Sequence, residues 1–194
     1  MKNFLNISDL SAQELKEIIE EAKSRKLKRK GFNKSEPDKD KPFSGMSMIM
    51  MFEKPSTRTR ISFDIAAKQL GGSTIILNQD GIHYGKGDES IKDTAKVLSQ
   101  YADMIMIRTA SHKNLDEFAK HSDIPVINGL SELSHPCQIM SDILTFEETK
   151  GSIKGKTIAW LGDGNNNMSN SFIEASAKFN FYAPTVLADI PHGA

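Results

Sequence analysis

From residue 47 onward the chain alternates short apolar runs with longer segments whose apolar residues recur at helical spacing, and this pattern constrains the fold more than any other feature. Ser47 to Phe52 reads as a buried strand, and Thr74 to Leu77, Met104 to Ile107 and Pro125 to Ile127 read as further strands. Between them run amphipathic stretches: first Ile61, Ile65, Ala66 and Leu70, then Ile91, Thr94, Ala95, Leu98 and Tyr101, then Leu115 to His121. Apolar strands without alternation are covered on both faces, and helices of this length are what joins parallel neighbours. The expected class is α/β, a parallel sheet flanked by helices.

Elements at both ends extend the pattern. Ser11 and Glu14 have capping-box spacing, and Leu15, Ile18, Ile19 and Ala22 follow on one helical face. That helix runs into Lys23, Arg25, Lys26, Lys28, Arg29 and Lys30, which read either as a nucleic-acid patch or as a solvated helix end. With 25 basic and 25 acidic side chains the net charge is zero, which favours the solvated end. Gly31 to Pro42 reads as a loop. Further on, His135 to Gln138 opens a helix with Pro136 in its first turn and Ile139, Met140, Ile143 and Leu144 as its stripe, ending near Lys150. Gly151 to Lys156 reads as a hinge, Thr157 to Leu161 as a new strand, and Phe172, Ile173 and Ala177 as a new helix, leaving one more apolar run at Thr185 to Ala188. The expected organisation is one domain over 1–150 and an incomplete start of a second over 151–194.

Composition excludes several classes. A single cysteine cannot form an internal disulfide, so the cytoplasm is the default location. The run Met46 to Phe52 is far shorter than the roughly 20 residues of a spanning helix, and Asp9, Glu14 and Glu17 interrupt any signal-peptide core. Neither nucleic acid nor a membrane is an expected partner.

The chemistry concentrates in Phe52-Glu53-Lys54-Pro55-Ser56-Thr57-Arg58-Thr59-Arg60, between a predicted strand and a predicted helix. Main-chain N–H groups at a helix start have no intrahelical partner and attract anions. Ser56, Thr57 and Thr59 add hydroxyl donors, and Arg58 adds a planar fork that matches phosphate oxygens. A helix start with surface arginines is the plain alternative; three hydroxyls and two arginines in one turn favour an anion site.

Ser56-Thr57-Arg58-Thr59-Arg60 with Ile61-Ser62-Phe63-Asp64, followed later by His135-Pro136-Cys137-Gln138, resembles the aspartate and ornithine carbamoyltransferase family, over about residues 3 to 181. Gly85-Lys86-Gly87-Asp88-Glu89-Ser90 resembles the family loop that reaches a neighbouring subunit's site, and Met104-Ile105-Met106-Ile107-Arg108 resembles its strand ending in an arginine. Phe-Glu-Lys-Pro before Ser56 and the turn Gly162-Asp163-Gly164-Asn165-Asn166 are similar to the ornithine branch. That turn also approximates a dinucleotide fingerprint but lacks the third glycine, so NAD is not expected.

The resemblance implies transfer of the carbamoyl group of carbamoyl phosphate to L-ornithine, giving citrulline and phosphate, in arginine biosynthesis or in the reverse direction. It implies a homotrimer with active sites shared between subunits. Ser56, Thr57, Arg58 and Thr59 would hold the phosphate; Thr57, Arg108 and His135 would face the carbonyl oxygen; Gln138 would grip the carbamoyl amide; Asn166 would bind ornithine. Arg58, Arg108 and His135 are the catalytic candidates, with His83 and Lys86 as further carbamoyl phosphate contacts. The leaving phosphate can accept the amine proton, so the reaction requires no metal, cofactor or protein nucleophile. Cys137 reads as a packing residue, and His112, His121 and His192, which lack motif context, read as surface residues. The family segments Asp-x-x-x-Ser-Met-Gly and His-Cys-Leu-Pro are absent, which leaves open another acceptor (aspartate, putrescine or acetylornithine) and a fragment that only binds carbamoyl phosphate.

Overall fold

A computed structural model describes residues 2–78 and 90–183. Four parallel strands form its sheet: β1 (Ser47–Phe52), β2 (Ser73–Asn78), β3 (Met104–Arg108) and β4 (Val126–Leu130), in the order β2-β1-β3-β4. The chain steps outward from β1 to β2 and then returns to the other side of β1. The strand order therefore reverses between β1 and β3, and a crevice opens there at the carboxyl ends of the strands.

Alternation along the strands divides the core between two faces. Ile49, Met51, Ile105, Ile107 and Val126 point to one face and meet Ile91 and Ala95 of α3 (Ile91–Leu98) and Leu115 and Phe118 of α4 (His112–His121). Met48, Met50, Phe52 and Met106 point to the other and meet Phe43 and Ala67, the latter from α2 (Thr57–Gln69). Phe118 is fully buried, so its truncation to alanine would cost about 3–5 kcal/mol. α1 (Ala12–Lys28), α5 (Pro136–Lys150) and α6 (Asn167–Phe179) share a third cluster built on Leu15, Ile19, Ile139, Ile143, Ala175 and Phe179.

At the open edge of β4 the first residues of the chain act as a partial fifth strand. Phe4 N–H donates to the Val126 carbonyl and Asn128 N–H to the Phe4 carbonyl, both at 2.9 Å, and Val126 N–H donates to Asn3 Oδ1.

Several expectations need correction. β2, at the edge of the sheet with one neighbouring strand among the described residues, leaves Ile75 exposed. Tyr101 lies beyond the end of α3 and is exposed, as are Ile18 and Ile61, which periodicity assigned to core faces. Of the strand expected at Thr157 to Leu161, the described residues show a bridge from Thr157 to Tyr182. His112 is buried rather than superficial: its Nδ1 meets Ser131 Oγ at 2.7 Å and its main-chain N–H donates to Glu132 Oε2 at 2.6 Å. The run Thr185 to Ala188, with His192, lies outside the described residues. In the basic cluster, Arg25 and Arg29 turn back onto Asp38 and pin the 31–46 loop to α1.

Candidate active site

Two helix starts converge on the crevice, and both lack the side-chain cap that the others have. Ser11, Ser90, Ser111 and Asn166 each accept a first-turn N–H of α1, α3, α4 and α6. Ser56 before α2 and His135 before α5 make no such bond, and neither helix has an acidic residue in its first turn. The positive end of each dipole is thus left unneutralised where it borders the crevice.

The crevice is a cleft of about 580 Å³ lined by Pro55, Ser56, Thr57, Arg58, Thr59, Arg108, Leu130, His135, Gln138 and Met168. Arg108 ends β3, and its guanidinium donates to Thr59 Oγ1 at 3.2 Å. Arg58 and Arg108 have no carboxylate partner among the described residues. Burial, followed by the charge of Arg58, pulls the Arg108 pKa below its ordinary value. The imidazole of His135 is held at about 4, first by burial and then by the charge of Arg108, so it is neutral at physiological pH. Arg108 Nε and His135 Nδ1 are enclosed without a hydrogen-bond partner among the described residues. Two unpaired cations and two orphaned polar atoms around one cleft describe a site shaped for an anion with further polar groups.

A bulge sets the far wall. Opposite β3 the register slips so that Ile107 faces Asn128 while Arg108 faces Leu130, which leaves Gly129 as the extra residue. A Cβ there would lie 2.2 Å from Met106 Sδ, so any larger residue would force the Met106 side chain to move. Asn128, fully buried, stabilises the bulge: Oδ1 accepts from Leu130 N–H at 2.9 Å, and Nδ2 donates to the carbonyls of Leu5 at 2.9 Å and Ser134 at 3.2 Å. On the near side Glu53 Oε2 accepts from Thr109 Oγ1 at 2.7 Å and from Ala110 N–H at 3.2 Å, tying the ends of β1 and β3 together. This carboxylate braces the cleft from outside its lining.

Gln138 Nε2 donates to Asp142 Oδ1 at 2.8 Å, one turn on. A carboxylate accepts only, so this bond orients the amide and leaves Oε1 as its free, hydrogen-accepting end.

Of the residues singled out in the sequence, Ser56, Thr57, Arg58, Thr59, Arg108, His135 and Gln138 come together in the cleft. His83 and Lys86 lie outside the described residues. Asn166 does not line the cleft: its Oδ1 accepts from Met168 N–H and Ser169 N–H at 2.9 and 3.0 Å, capping α6. Arg60, two residues from Arg58 and so on a different side of the helix, stacks over Phe52 and donates to Asn78 Oδ1 at 3.3 Å. It lines a neighbouring recess of about 290 Å³. Burial raises the Cys137 thiol to about 12, so it is no nucleophile. Leu130 and Met168 are lining residues that the sequence did not flag. Asn128 was findable, because a lone amide inside an apolar strand demands buried partners.

Comparison with known proteins agrees with this geometry. Residues 2–148 match the family model for the carbamoyl-P binding domain of aspartate/ornithine carbamoyltransferase, and the chain belongs to that family. Over 180 residues it is 51% identical to the ornithine carbamoyltransferase of Agrobacterium fabrum, covering 93% of this chain and 57% of that protein. The solved ornithine carbamoyltransferase of Burkholderia thailandensis superposes with a TM-score of 0.87 at 36% identity, over 95% of this chain and 61% of that one. The enzyme from Pyrococcus furiosus gives 0.86 at 40% identity, over 95% and 57%. The chain thus spans a little over half the length of the curated relatives it matches. No helix among the described residues is long and apolar enough to cross a membrane.

Proposed function

We propose that this chain forms the carbamoyl phosphate half of an ornithine carbamoyltransferase site, passing the carbamoyl group to the side-chain amine of L-ornithine to give citrulline and phosphate. The observation that carries the reading is the pair of unneutralised arginines, Arg58 and Arg108, facing one cleft beside two uncapped helix starts. In this reading the start of α2, with Ser56, Thr57, Arg58 and Thr59, takes the phosphate. Thr57, Arg108 and the neutral His135 donate toward the carbonyl oxygen, where negative charge grows as the amine attacks. Neutrality suits His135: an imidazolium beside Arg108 would be repelled by it, whereas a neutral ring still donates one hydrogen bond. The accepting oxygen of Gln138 receives the carbamoyl NH2 and fixes its plane. The departing phosphate takes the amine proton.

Ornithine as acceptor, with Asn166 as one of its contacts, rests on the named relatives and on the Asn165-Asn166 turn. A homotrimer in the cytoplasm, with 1–150 as the carbamoyl phosphate domain, belongs to the same reading. The test is to incubate the protein with carbamoyl phosphate and either ornithine or aspartate and to measure the carbamoylated product. Citrulline supports the proposal. Carbamoyl aspartate overturns the acceptor, and binding without any product supports the binding-only alternative.

A further inference from the structure

His135 carries no cap of its own, yet its main-chain N–H is satisfied from elsewhere: it donates at 2.8 Å to Ser171 Oγ, on α6. Ser171 is fully buried and its hydroxyl has no spare capacity. The single O–H donates to the Asn167 carbonyl at 2.8 Å, which leaves two lone pairs, one for His135 N–H and the other for the Ser134 hydroxyl at 3.2 Å. Two neighbours on the same helix face grip the same loop. Asn167 Nδ2 donates to the Ser131 carbonyl at 2.7 Å and Asn170 Nδ2 to the Leu133 carbonyl at 3.1 Å. Positions i, i+3 and i+4 of α6 therefore hold the 131–135 loop from one side, while Asn128 holds it from β4. All three lie beyond residue 148, where the family-model match ends.

We propose that Ser171 is a positioning residue for His135: by holding the His135 main chain from α6 it sets where the imidazole stands beside Arg108, so that recognition of the carbamoyl group depends on a helix outside the matched domain. This rests on the reading of the cleft given above. The phosphate end of the cleft is built by α2 and β3 and touches none of these bonds, so the two halves of the ligand report on different parts of the protein.

Calorimetry with inorganic phosphate and with phosphonoacetamide, a stable carbamoyl phosphate mimic, separates them. Wild-type protein is expected to prefer phosphonoacetamide. Ser171→Ala should shrink that preference about tenfold, the effect of one misplaced hydrogen-bond donor, with phosphate affinity unchanged. Ser171→Thr, which keeps the hydroxyl, should restore most of it. By NMR the His135 imidazole should titrate closer to 6.5 in Ser171→Ala than in wild type, as the ring moves from its place beside Arg108 and gains water, and Ser171→Thr should return it toward the wild-type value. An unchanged preference, or equal losses for both ligands, overturns the role of Ser171 and leaves the proposed function standing. A wild-type protein without any preference overturns both. If Ser171→Ala does not fold, amide exchange in wild type decides: the His135 N–H should open together with α6, and exchange independent of α6 overturns the proposal.

Discussion

The starts of α2 and α6 can be compared directly, because each helix follows a turn and each opens near the cleft, yet they spend their polar groups in opposite ways. Asn166 uses its side-chain oxygen on two main-chain N–H groups of α6 and its amide on the Asp163 carbonyl at 2.5 Å, so that helix start is complete in itself. Ser56 leaves the first turn of α2 open, beside two arginines without counterions among the described residues. One terminus contributes to stability now; the other holds its hydrogen-bonding capacity for an anion. The lesson is that a phosphate site is marked as much by a missing cap as by the residues present.

This contrast can be broken or sharpened by mutation. The largest effect is expected for Arg58→Ala, which should weaken carbamoyl phosphate binding about 100-fold through loss of charge-assisted hydrogen bonds, with the melting temperature unchanged or raised. Calorimetry giving equal affinity for variant and wild type would refute the phosphate assignment. Asn166→Ala should act in reverse, lowering stability by about 1 kcal/mol in urea unfolding with phosphate affinity intact. A stability loss in Ser56→Ala as large as that would erase the distinction between the two helix starts; the expected outcome is unaltered stability and a several-fold loss of phosphate affinity.

Acid offers a subtler probe. His135 titrates at about 4 in the folded protein, against about 6.5 for an unfolded histidine. Between those values the unfolded chain binds the extra proton, so this contribution to stability is complete above about pH 6.5 and declines as pH falls toward 4. Replacing His135 with glutamine should flatten the stability profile over that interval. An identical profile in variant and wild type would show that the ring is not held neutral. Bound phosphate should raise the His135 pKa by offsetting the charge of Arg108, and an NMR titration measures the shift directly.

Periodicity located the sheet well because each strand is a separate apolar run: Ser47 to Phe52 is β1 to the residue, and Met104 to Ile107 misses only Arg108. It failed where tertiary surroundings decide. Ile61 has helical spacing yet is exposed. In the cleft, residues carried by local motifs were legible, because Ser56 to Thr59 and His135 to Gln138 are each one turn of chain. Arg60 misled for a geometric reason, since two positions along a helix turn a side chain away. Ser171 was hidden, because a serine inside an amphipathic helix carries no mark of the partner 36 positions away that its hydroxyl serves.

The edge that Phe4 and Asn3 close on β4 carries a consequence for how the protein is made. Asn3 and Val126 are separated by 123 positions, as are Leu5 and Asn128, so the segment from Asn3 to Leu5 waits until β4 has been synthesised before it can pair. Contacts that distant in sequence form late and slow the folding of a sheet. Until β4 has emerged the amino-terminal segment has no strand to join, and afterwards the edge of β4 stays open to other chains until that segment arrives. Synthesis thus passes through an interval in which premature pairing between nascent chains competes with correct closure, and the interval ends only when both ends of this long loop meet.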